Sequence, residues 1–381
     1  MTVKASGEIR VLELTGSPRE VGRAHGEEMR DVIVAIMERW KHGLERDSGL
    51  SARRYIDRFL QETDFVPAMR RWSPDILDEI GGIAESASVD FDDMLVYQLV
   101  DEQWIFTRRL REEALLVGAE HCTAMGVFDP DSGPPILAQN MDIPKFYDGG
   151  QVLLRLVDPT FDTETLIFTV AGLIAAMGVN SHGVGVCCNT VSQIASSRDG
   201  LPVGCVVRKI LQQKTRVDAT LFIQSVRHAS GQNYTIGGPD GITSLECSAN
   251  KVSEFRPSPH RVFHTNHPLV NDEAEVYATS ASASIPDPIV GRQPTNSETR
   301  FNAVANILGD SKSRVTVDTV KAILSDESTL VCAMRESSVP SYTAASMVAV
   351  LSKPPAIELA PGPPAVTEFK THTFRVSRHA E

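Results

Sequence analysis

The spacing of apolar and polar positions changes along the chain: it has one form in roughly the first 110 residues and another after Gly118. In the first part, apolar residues recur at the three- and four-residue spacing of amphipathic helices. The segment Ser17-Pro18-Arg19-Glu20 has the form of a capping box with proline at the first helical position, and it predicts one long helix through Met37. Further helices are predicted at 52–62, from 73 past 83, and over 94–104. The N-terminal part is therefore predicted to be mainly helical.

After Gly118 the chain consists of short apolar runs bounded by Gly, Pro, Asn and Asp, which predict antiparallel strands. These runs lie at 122–128, 136–140, 152–157, 165–170, 175–179, 184–188, 233–237, 243–248, 261–265, 342–351 and 367–376. Helical spacing returns at 203–213, 218–229, 298–308 and 317–324. Because strands and helices come in blocks rather than in strict alternation, the sequence predicts an α+β layered fold and not a doubly wound parallel sheet.

Charge and hydropathy exclude several classes of function. The 381 residues carry a formal net charge of −12, which argues against nucleic acid as a partner. The longest nearly apolar run, at 166–179, is shorter than the roughly 20 residues that span a bilayer, so no membrane partner is predicted. The first residues lack the apolar core of a secretory signal, and we therefore expect a cytoplasmic protein.

Motif searches remove further alternatives. The chain has no GxxxxGK[ST], GxGxxG or GxSxG element, so nucleotide-binding and serine-hydrolase functions lose most of their support. Its six cysteines form no CxxC pair. His264 and His267 have no third clustered ligand and are a weak zinc signal. We therefore predict neither a metal nor a cofactor.

Cys122 is the strongest candidate for chemistry, because it opens an apolar strand where the helical region ends. An isolated cysteine is more often a small buried apolar side chain. Whether Cys122 has a chemical role therefore depends on the residues around it. The adjacent His121 is a poor partner for a catalytic dyad, since consecutive residues of a strand project to opposite faces. No separated Cys/His pair carries a recognisable signature, which disfavours a conventional cysteine peptidase.

Several short segments recur along the chain in a fixed order, and together they carry a resemblance that covers nearly its whole length. They are Gly16-Ser17-Pro18 with Gly22 and His25-Gly26, Cys122-Thr123, Gln139-Asn140-Met141-Asp142, Gly178-Val179-Asn180-Ser181-His182-Gly183-Val184 with Asn189, His264-Thr265-Asn266-His267, and Ser297-Glu298-Thr299-Arg300. In these segments the chain resembles the penicillin acyltransferase family of N-terminal-nucleophile (Ntn) hydrolases, whose precursors cut themselves just before a Cys-Thr pair.

The resemblance implies a four-layer αββα sandwich and self-cleavage between His121 and Cys122. The products would be a helical α segment, 1–121, and a catalytic β segment, 122–381, which stay associated as one compact Ntn-hydrolase domain. His121 stands where the better known members have glycine, a residue that tolerates a strained backbone more readily. An uncleaved, noncatalytic ligand-binding protein of the same fold therefore remains an alternative.

The resemblance also implies roles for individual residues. Cys122 would be the nucleophile, Asp142 would lie beside the new α-ammonium group, and Asn266 would stabilise the oxyanion. Arg300 would hold Asp142 or a substrate carboxylate, while Asn189 and Thr123 are weaker candidates for oxyanion or substrate binding. The physical reading agrees, because an α-amino group with an ordinary pKa of about 7.7–8.0 can accept the thiol proton at neutral pH.

The function implied is hydrolysis of a linear amide bond in a small N-acyl compound, through an acyl-enzyme on Cys122. The alternative within the same chemistry is an acyl-CoA-dependent N-acyltransferase, whose partners would be an acyl thioester and an amine acceptor. The partner is in either case a small molecule. The sequence does not identify the substrate, and it leaves the oligomeric state open, a homo-oligomer included.

Overall fold

The computed structural model describes residues 8–111, 122–129, 133–158, 162–273, 295–309, 314–337 and 339–375. The helices in these ranges are α1 Pro18–Glu28, α2 Arg30–Ser48, α3 Ala52–Glu62, α4 Phe65–Trp72, α5 Pro74–Ala87, α6 Phe91–Tyr97, α7 Val100–Arg111, α8 Val203–Leu211, α9 Arg216–Ser225, α10 Asn296–Leu308 and α11 Val317–Leu324. The strands are β1 Arg10–Thr15, β2 Thr123–Val127, β3 Ile136–Pro144, β4 Gln151–Asp158, β5 Thr163–Val170, β6 Met177–Asn180, β7 Gly185–Thr190, β8 Gln232–Gly238, β9 Gly241–Cys247, β10 Val252–Glu254, β11 Arg261–His264, β12 Ser341–Val350, β13 Ala356–Ala360 and β14 Lys370–Thr373.

The strands form two sheets. One has eight strands in the order β1-β4-β5-β6-β7-β8-β9-β10, and the other has six in the order β11-β2-β3-β12-β13-β14. β1 runs parallel to β4, with Leu12 opposite Leu154, whereas the other pairings between these strands are antiparallel. Since β1 precedes Cys122 and β4 follows it, the two parts of the chain share a sheet.

Alternate residues of the central strands enter different cores, as the pleat of a strand requires. Leu153 and Phe168 of the eight-stranded sheet pack with Ala124 and Met347 of the six-stranded sheet in the core between the two sheets. The next residue of the strand, Leu154, faces the opposite way, into the core formed with α1–α9. One face of the eight-stranded sheet is therefore covered by helices and the other by the second sheet.

The six-stranded sheet is covered in the same way on its outer face. Met125 and Val348 pack there with Val304 of α10 and Leu324 of α11. The layers are thus helix, sheet, sheet and helix. This arrangement confirms the predicted α+β class and the four-layer sandwich. Among the described helices, none combines the length and the hydropathy needed to cross a bilayer.

The predicted long N-terminal helix is wrong in one respect, because it breaks at Met29, where φ is −114° and ψ is 12°. The break separates α1 from α2 and leaves α1 packed closely on α5. A Cβ atom on Gly22 would lie 2.0 Å from the Glu79 carbonyl oxygen, and one on Gly82 would lie 2.3 Å from that of Arg19. These glycines are required because the two helix backbones approach so closely.

The same N-terminal helices fix a loop beside the predicted site. His25, which is fully buried, accepts a hydrogen bond at Nε2 from the Gly172 amide at 3.1 Å. Gln98 donates to the Gly172 carbonyl at 2.7 Å and accepts from the Ile174 amide at 3.0 Å. Three hydrogen bonds from the N-terminal part thereby hold residues 172–174 in place.

Candidate functional site

Cys122 lies directly before β2, next to the backbone of β3. Thr123 pairs with Asn140, so the cysteine falls beside Met141 and Asp142. The Asp142 amide donates a hydrogen bond to Cys122 Sγ at 3.4 Å, and Sγ lies 3.6 Å from the Asp142 carbonyl oxygen. β2 and β3 pair antiparallel, and this pairing brings Asp142 next to Cys122.

Burial makes the Cys122 thiol a weak acid. Its pKa rises from the ordinary 9.0 to about 12, first because of desolvation and then because of the charge of Asp142. The Asp142 amide and Arg300 oppose this rise. The thiol is therefore protonated at neutral pH, and it needs a nearby base before it can act as a nucleophile.

Asp142 is buried, and burial raises its pKa from 3.8 to about 7, against the opposing effects of Thr343 and Arg300. Thr343 is its cross-strand neighbour on β12. Among the residues that the structure describes, neither carboxyl oxygen has a hydrogen-bond partner of normal geometry. A carboxyl group in this state can take up or release a proton near neutral pH.

Arg300 projects from the first turns of α10 and is completely buried. A capping box formed by Thr295 and Glu298 starts the helix. Nη1 donates to the Cys122 carbonyl at 2.7 Å and to the Thr123 hydroxyl at 2.9 Å, and Nη2 donates to Asn266 Oδ1 at 2.9 Å. The guanidinium therefore ties the start of β2 to the loop after β11.

Asn266 is held at both ends. Its Oδ1 receives Arg300, its Nδ2 donates to the Thr190 carbonyl at 3.0 Å, and its backbone amide donates to Ser297 Oγ at 2.8 Å. A side-chain amide carries two N–H donors at Nδ2, so with respect to the described residues one hydrogen remains after the bond to Thr190. Asn266 lines the same cavity as Cys122, where such a donor is suited to an oxyanion.

The weaker candidates occupy supporting positions. Asn189 donates to the His264 carbonyl at 3.4 Å, and its buried Oδ1 has no hydrogen-bond partner within the described part of the chain. The Thr123 hydroxyl is turned toward Arg300. His121, which precedes the predicted cleavage point, lies outside the described residues.

The cavity at Cys122 has a volume of about 100 Å³. Its walls are mainly apolar side chains of α7, β5, α8 and the loop after β5, and they include Trp104, Phe168, Val170, Ile174, Val203 and Val207. Asp101, Asp142 and Asn266 are polar groups at its surface. An apolar cavity with a few convergent polar groups is typical of a small-molecule site.

The chain also matches a family of known proteins. Residues 129–354 match the family described as acyl-coenzyme A:6-aminopenicillanic acid acyl-transferase. The match covers more than half of the chain. The chain belongs to this acyl-transferase family. The matched range begins after Cys122 and includes Asp142, Asn266 and Arg300.

One curated relative is the 40 kDa form of acyl-coenzyme A:6-aminopenicillanic-acid-acyltransferase from Emericella nidulans. It is 25% identical to this chain over 258 residues, which cover 67% of this chain and 68% of the relative. Two solved structures are also similar. A mutant of conjugated bile acid hydrolase from Clostridium perfringens has 13% identity and a TM-score of 0.46, covering 67% of this chain and 97% of that one. Penicillin V acylase from Agrobacterium tumefaciens has 12% identity and a TM-score of 0.37, covering 62% and 82%.

One buried pair in this family member was not singled out from the sequence. His264 Nε2 lies 2.8 Å from Glu246 Oε1, and both side chains are fully buried. Burial alone favours a higher pKa for Glu246, but His264 and the amides of Val270 and Asn271 outweigh it and lower the pKa. The pair fixes the loop that carries Asn266. It was missed because Glu246 has no local motif and meets the loop only through the fold.

The contacts of His264 and His267 also bear on metal binding. His267 Nδ1 lies 2.8 Å from Ser297 Oγ, and burial lowers the pKa of this histidine to about 4. In the described ranges, no three His, Cys, Asp or Glu side chains converge in a way that could hold a metal ion. Both ring nitrogens of His264 contact protein groups, Nδ1 the Thr265 carbonyl and Nε2 the Glu246 carboxylate.

The raised pKa of Asp142 predicts how the stability of this family member depends on pH. The folded-state pKa of about 7 exceeds the ordinary 3.8. The stability that the protonated Asp142 carboxyl contributes is therefore complete below pH 3.8, and it is lost as the pH rises from there through 7. In a Cys122→Ala background, the free energy of unfolding falls between pH 5 and pH 9. We expect this fall to be about 3 kcal/mol smaller when Asp142→Asn is added. Denaturant unfolding at several pH values measures this difference.

The comparison within one background cancels other titrating groups. Glu102, whose pKa burial also raises to about 7, changes the stability of both proteins alike. Parallel curves for the two proteins between pH 5 and pH 9 would show that Asp142 does not titrate in this range.

Proposed function

We propose that this chain is a cysteine enzyme that cuts its own backbone before Cys122 and then cleaves the amide bond of a small N-acyl compound. One observation carries the proposal: Cys122, Asp142 and Asn266, which are far apart in sequence, line a single apolar cavity. Arg300 donates hydrogen bonds to both the Cys122 carbonyl and Asn266 Oδ1. Membership of an acyl-transferase family supports chemistry at an acyl group.

The first step is an acyl shift from nitrogen to sulfur. The Cys122 sulfur attacks the carbonyl carbon of residue 121, the C–N bond breaks, and the thiol proton passes to the departing α-nitrogen. Asp142 is suited to relay this proton because its pKa lies near 7. Water then hydrolyses the thioester and releases the carboxyl end of residue 121. Arg300, bound to the Cys122 carbonyl, fixes the peptide during the step.

The freed α-amine then activates the same sulfur for reaction with substrate. An α-amino group with a pKa near 7.7–8.0 accepts the thiol proton, which a thiol with a pKa of about 12 does not release unaided. The thiolate attacks the substrate carbonyl carbon, Asn266 Nδ2 stabilises the oxyanion, and the leaving amine takes the proton. Water then cleaves the thioester to give a free acid and regenerate Cys122.

Acyl transfer is the second candidate, and the curated relative favours it. That protein is named an acyltransferase that uses acyl-coenzyme A and 6-aminopenicillanic acid. The same thioester on Cys122 would then form from an acyl thioester, with release of its thiol. An amine would attack in place of water and give a new amide. Hydrolysis and transfer therefore differ in the final acceptor and not in the role of Cys122.

Intact-mass measurement of the purified chain tests the activation step. We expect two associated species, 1–121 and 122–381, and N-terminal sequencing of the second should begin Cys-Thr-Ala. β1 of the first segment pairs with β4 of the second, which supports their association after the cut. A single uncut species with full amide activity would contradict the scheme.

Activity assays separate the candidate reactions. Chromogenic anilides of straight-chain and arylacetic acids report hydrolysis, and the same assays with an added amine, or with an acyl thioester and an amine, report transfer. Product amide in excess of free acid would assign the transferase. Tight binding of anilides without turnover, unchanged in Cys122→Ser, would instead support an uncleaved binding protein.

A further inference from the structure

Asp101 brings a carboxyl group to the cavity that contains Cys122. It lies in the first turn of α7, and its Oδ2 accepts hydrogen bonds from Thr190 Oγ1 at 2.9 Å and from Gln232 Nε2 at 2.5 Å. Both donors are neutral, and among the described residues no hydrogen bond involves Oδ1. The carboxyl group is therefore fixed in orientation, with one oxygen left for a ligand.

Thr190 links this carboxyl group to the candidate oxyanion donor. Its hydroxyl binds Asp101, while its carbonyl accepts from Asn266 Nδ2. A ligand group bound by Asp101 is consequently held in a fixed relation to the point where the scissile carbonyl would lie. Binding of the ligand group at Asp101 thereby orients the scissile carbonyl for reaction.

The charge around the cavity favours a cationic ligand. Asp101 and Asp142 both line it, and both raise the pKa of the Cys122 thiol. The Arg300 guanidinium is engaged with the peptide at Cys122 and with Asn266. Burial raises the pKa of Asp101, against opposing effects of Thr190, Gln232 and Arg108, and a cation beside it would favour its charged form.

The surrounding walls limit the size and polarity of that ligand. Phe168, Val170, Val203 and Val207 offer apolar surface. We propose that Asp101 determines specificity by binding a protonated primary amine, so that the preferred substrates are small amides whose apolar acyl part carries an ammonium group. This inference rests on the proposed amide chemistry at Cys122.

Matched substrates test the assignment. One series contains ω-aminoacyl anilides of two to six carbons, and the other contains their neutral counterparts with methyl in place of ammonium. We expect the wild-type enzyme to prefer the best cationic member, and Asp101→Asn to lower kcat/KM for that member by about 10- to 100-fold, mainly through KM. The neutral series should change by less than about 3-fold, since it makes no charged contact with Asp101.

Asp78→Asn is the matched control, because Asp78 is an exposed aspartate of α5, outside the cavity lining. It should leave the ratio of cationic to neutral turnover unchanged. Equal losses on both series in Asp101→Asn would assign the residue to structural support of Thr190 and overturn the inference. Absence of any cationic preference in the wild type would also overturn it, while the amide activity would stand.

Failure of the proposed chemistry is distinguishable from failure of this inference. If no anilide is turned over in a Cys122-dependent reaction, the proposed function is wrong. Calorimetry with the aminohexanoyl anilide and the Cys122→Ser protein then decides the role of Asp101. Binding that weakens about 10-fold or more in Asp101→Asn supports the ammonium site, and unchanged or absent binding rejects it.

Discussion

Replacing Cys122 with alanine is expected to leave the chain uncut and to lower amide turnover by about 10⁴- to 10⁶-fold, the scale on which enzymes lose activity without their nucleophile. The substitution removes the sulfur that attacks both the peptide before residue 122 and the substrate. It changes little else, because the side chain is small and its carbonyl still accepts from Arg300. Intact mass and steady-state kinetics report the two losses separately.

Cys205→Ala is the matched control, because Cys205 is also buried but packs in the helical core around α8. It should keep both the cleavage and the turnover. A Cys122→Ala protein that is cut at the normal position, or that keeps anilide turnover above background, would remove the thiol from the mechanism.

The second large effect is expected at Arg300. Its guanidinium donates to Asn296, Cys122, Thr123 and Asn266 in one fixed geometry. Lysine keeps the charge but cannot reproduce that fork. We expect Arg300→Lys to destabilise the fold by about 2–4 kcal/mol, since several buried acceptors lose their donor. Self-cleavage and turnover should fall by about 10²- to 10³-fold as Asn266 loses its support.

Stability is best compared in the Cys122→Ala background, so that both proteins remain uncut. Arg227→Lys provides the control, because this arginine pairs with Asp199 on the surface with half of its side chain exposed. That change should alter stability by less than about 1 kcal/mol. An Arg300→Lys protein with wild-type stability and cleavage would mean that the buried contacts of Arg300 contribute neither to folding nor to the reaction.

Local signals in the sequence were sufficient for much of the secondary structure. Ser17 and Glu20 form the predicted capping box, and the runs predicted as strands at 122–128 and 136–140 form β2 and β3. Such features depend on neighbouring residues or on the alternation of one strand. The break at Met29, in contrast, was not predicted, because the close approach of Gly22 to α5 belongs to the packing of two helices.

For the candidate site as well, the sequence predicted some features and only the structure showed others. Motifs in the sequence selected Cys122, Asp142, Asn266 and Arg300 through their resemblance to a family. They did not predict that Arg300 donates to the Cys122 carbonyl, which depends on where α10 packs against β2.

By itself, the sequence determined the α+β class, many of the helices and strands, and the residues that carry candidate chemistry, since these follow from periodicity, composition and motifs. It did not predict β1, α4, β10 or β13. Only the tertiary structure decided that Glu246 supports the loop of Asn266 and that Asp101 shares a cavity with Cys122. The physical reason is that burial and contacts between distant residues set the hydrogen bonding and the pKa of these groups, and no local pattern encodes either.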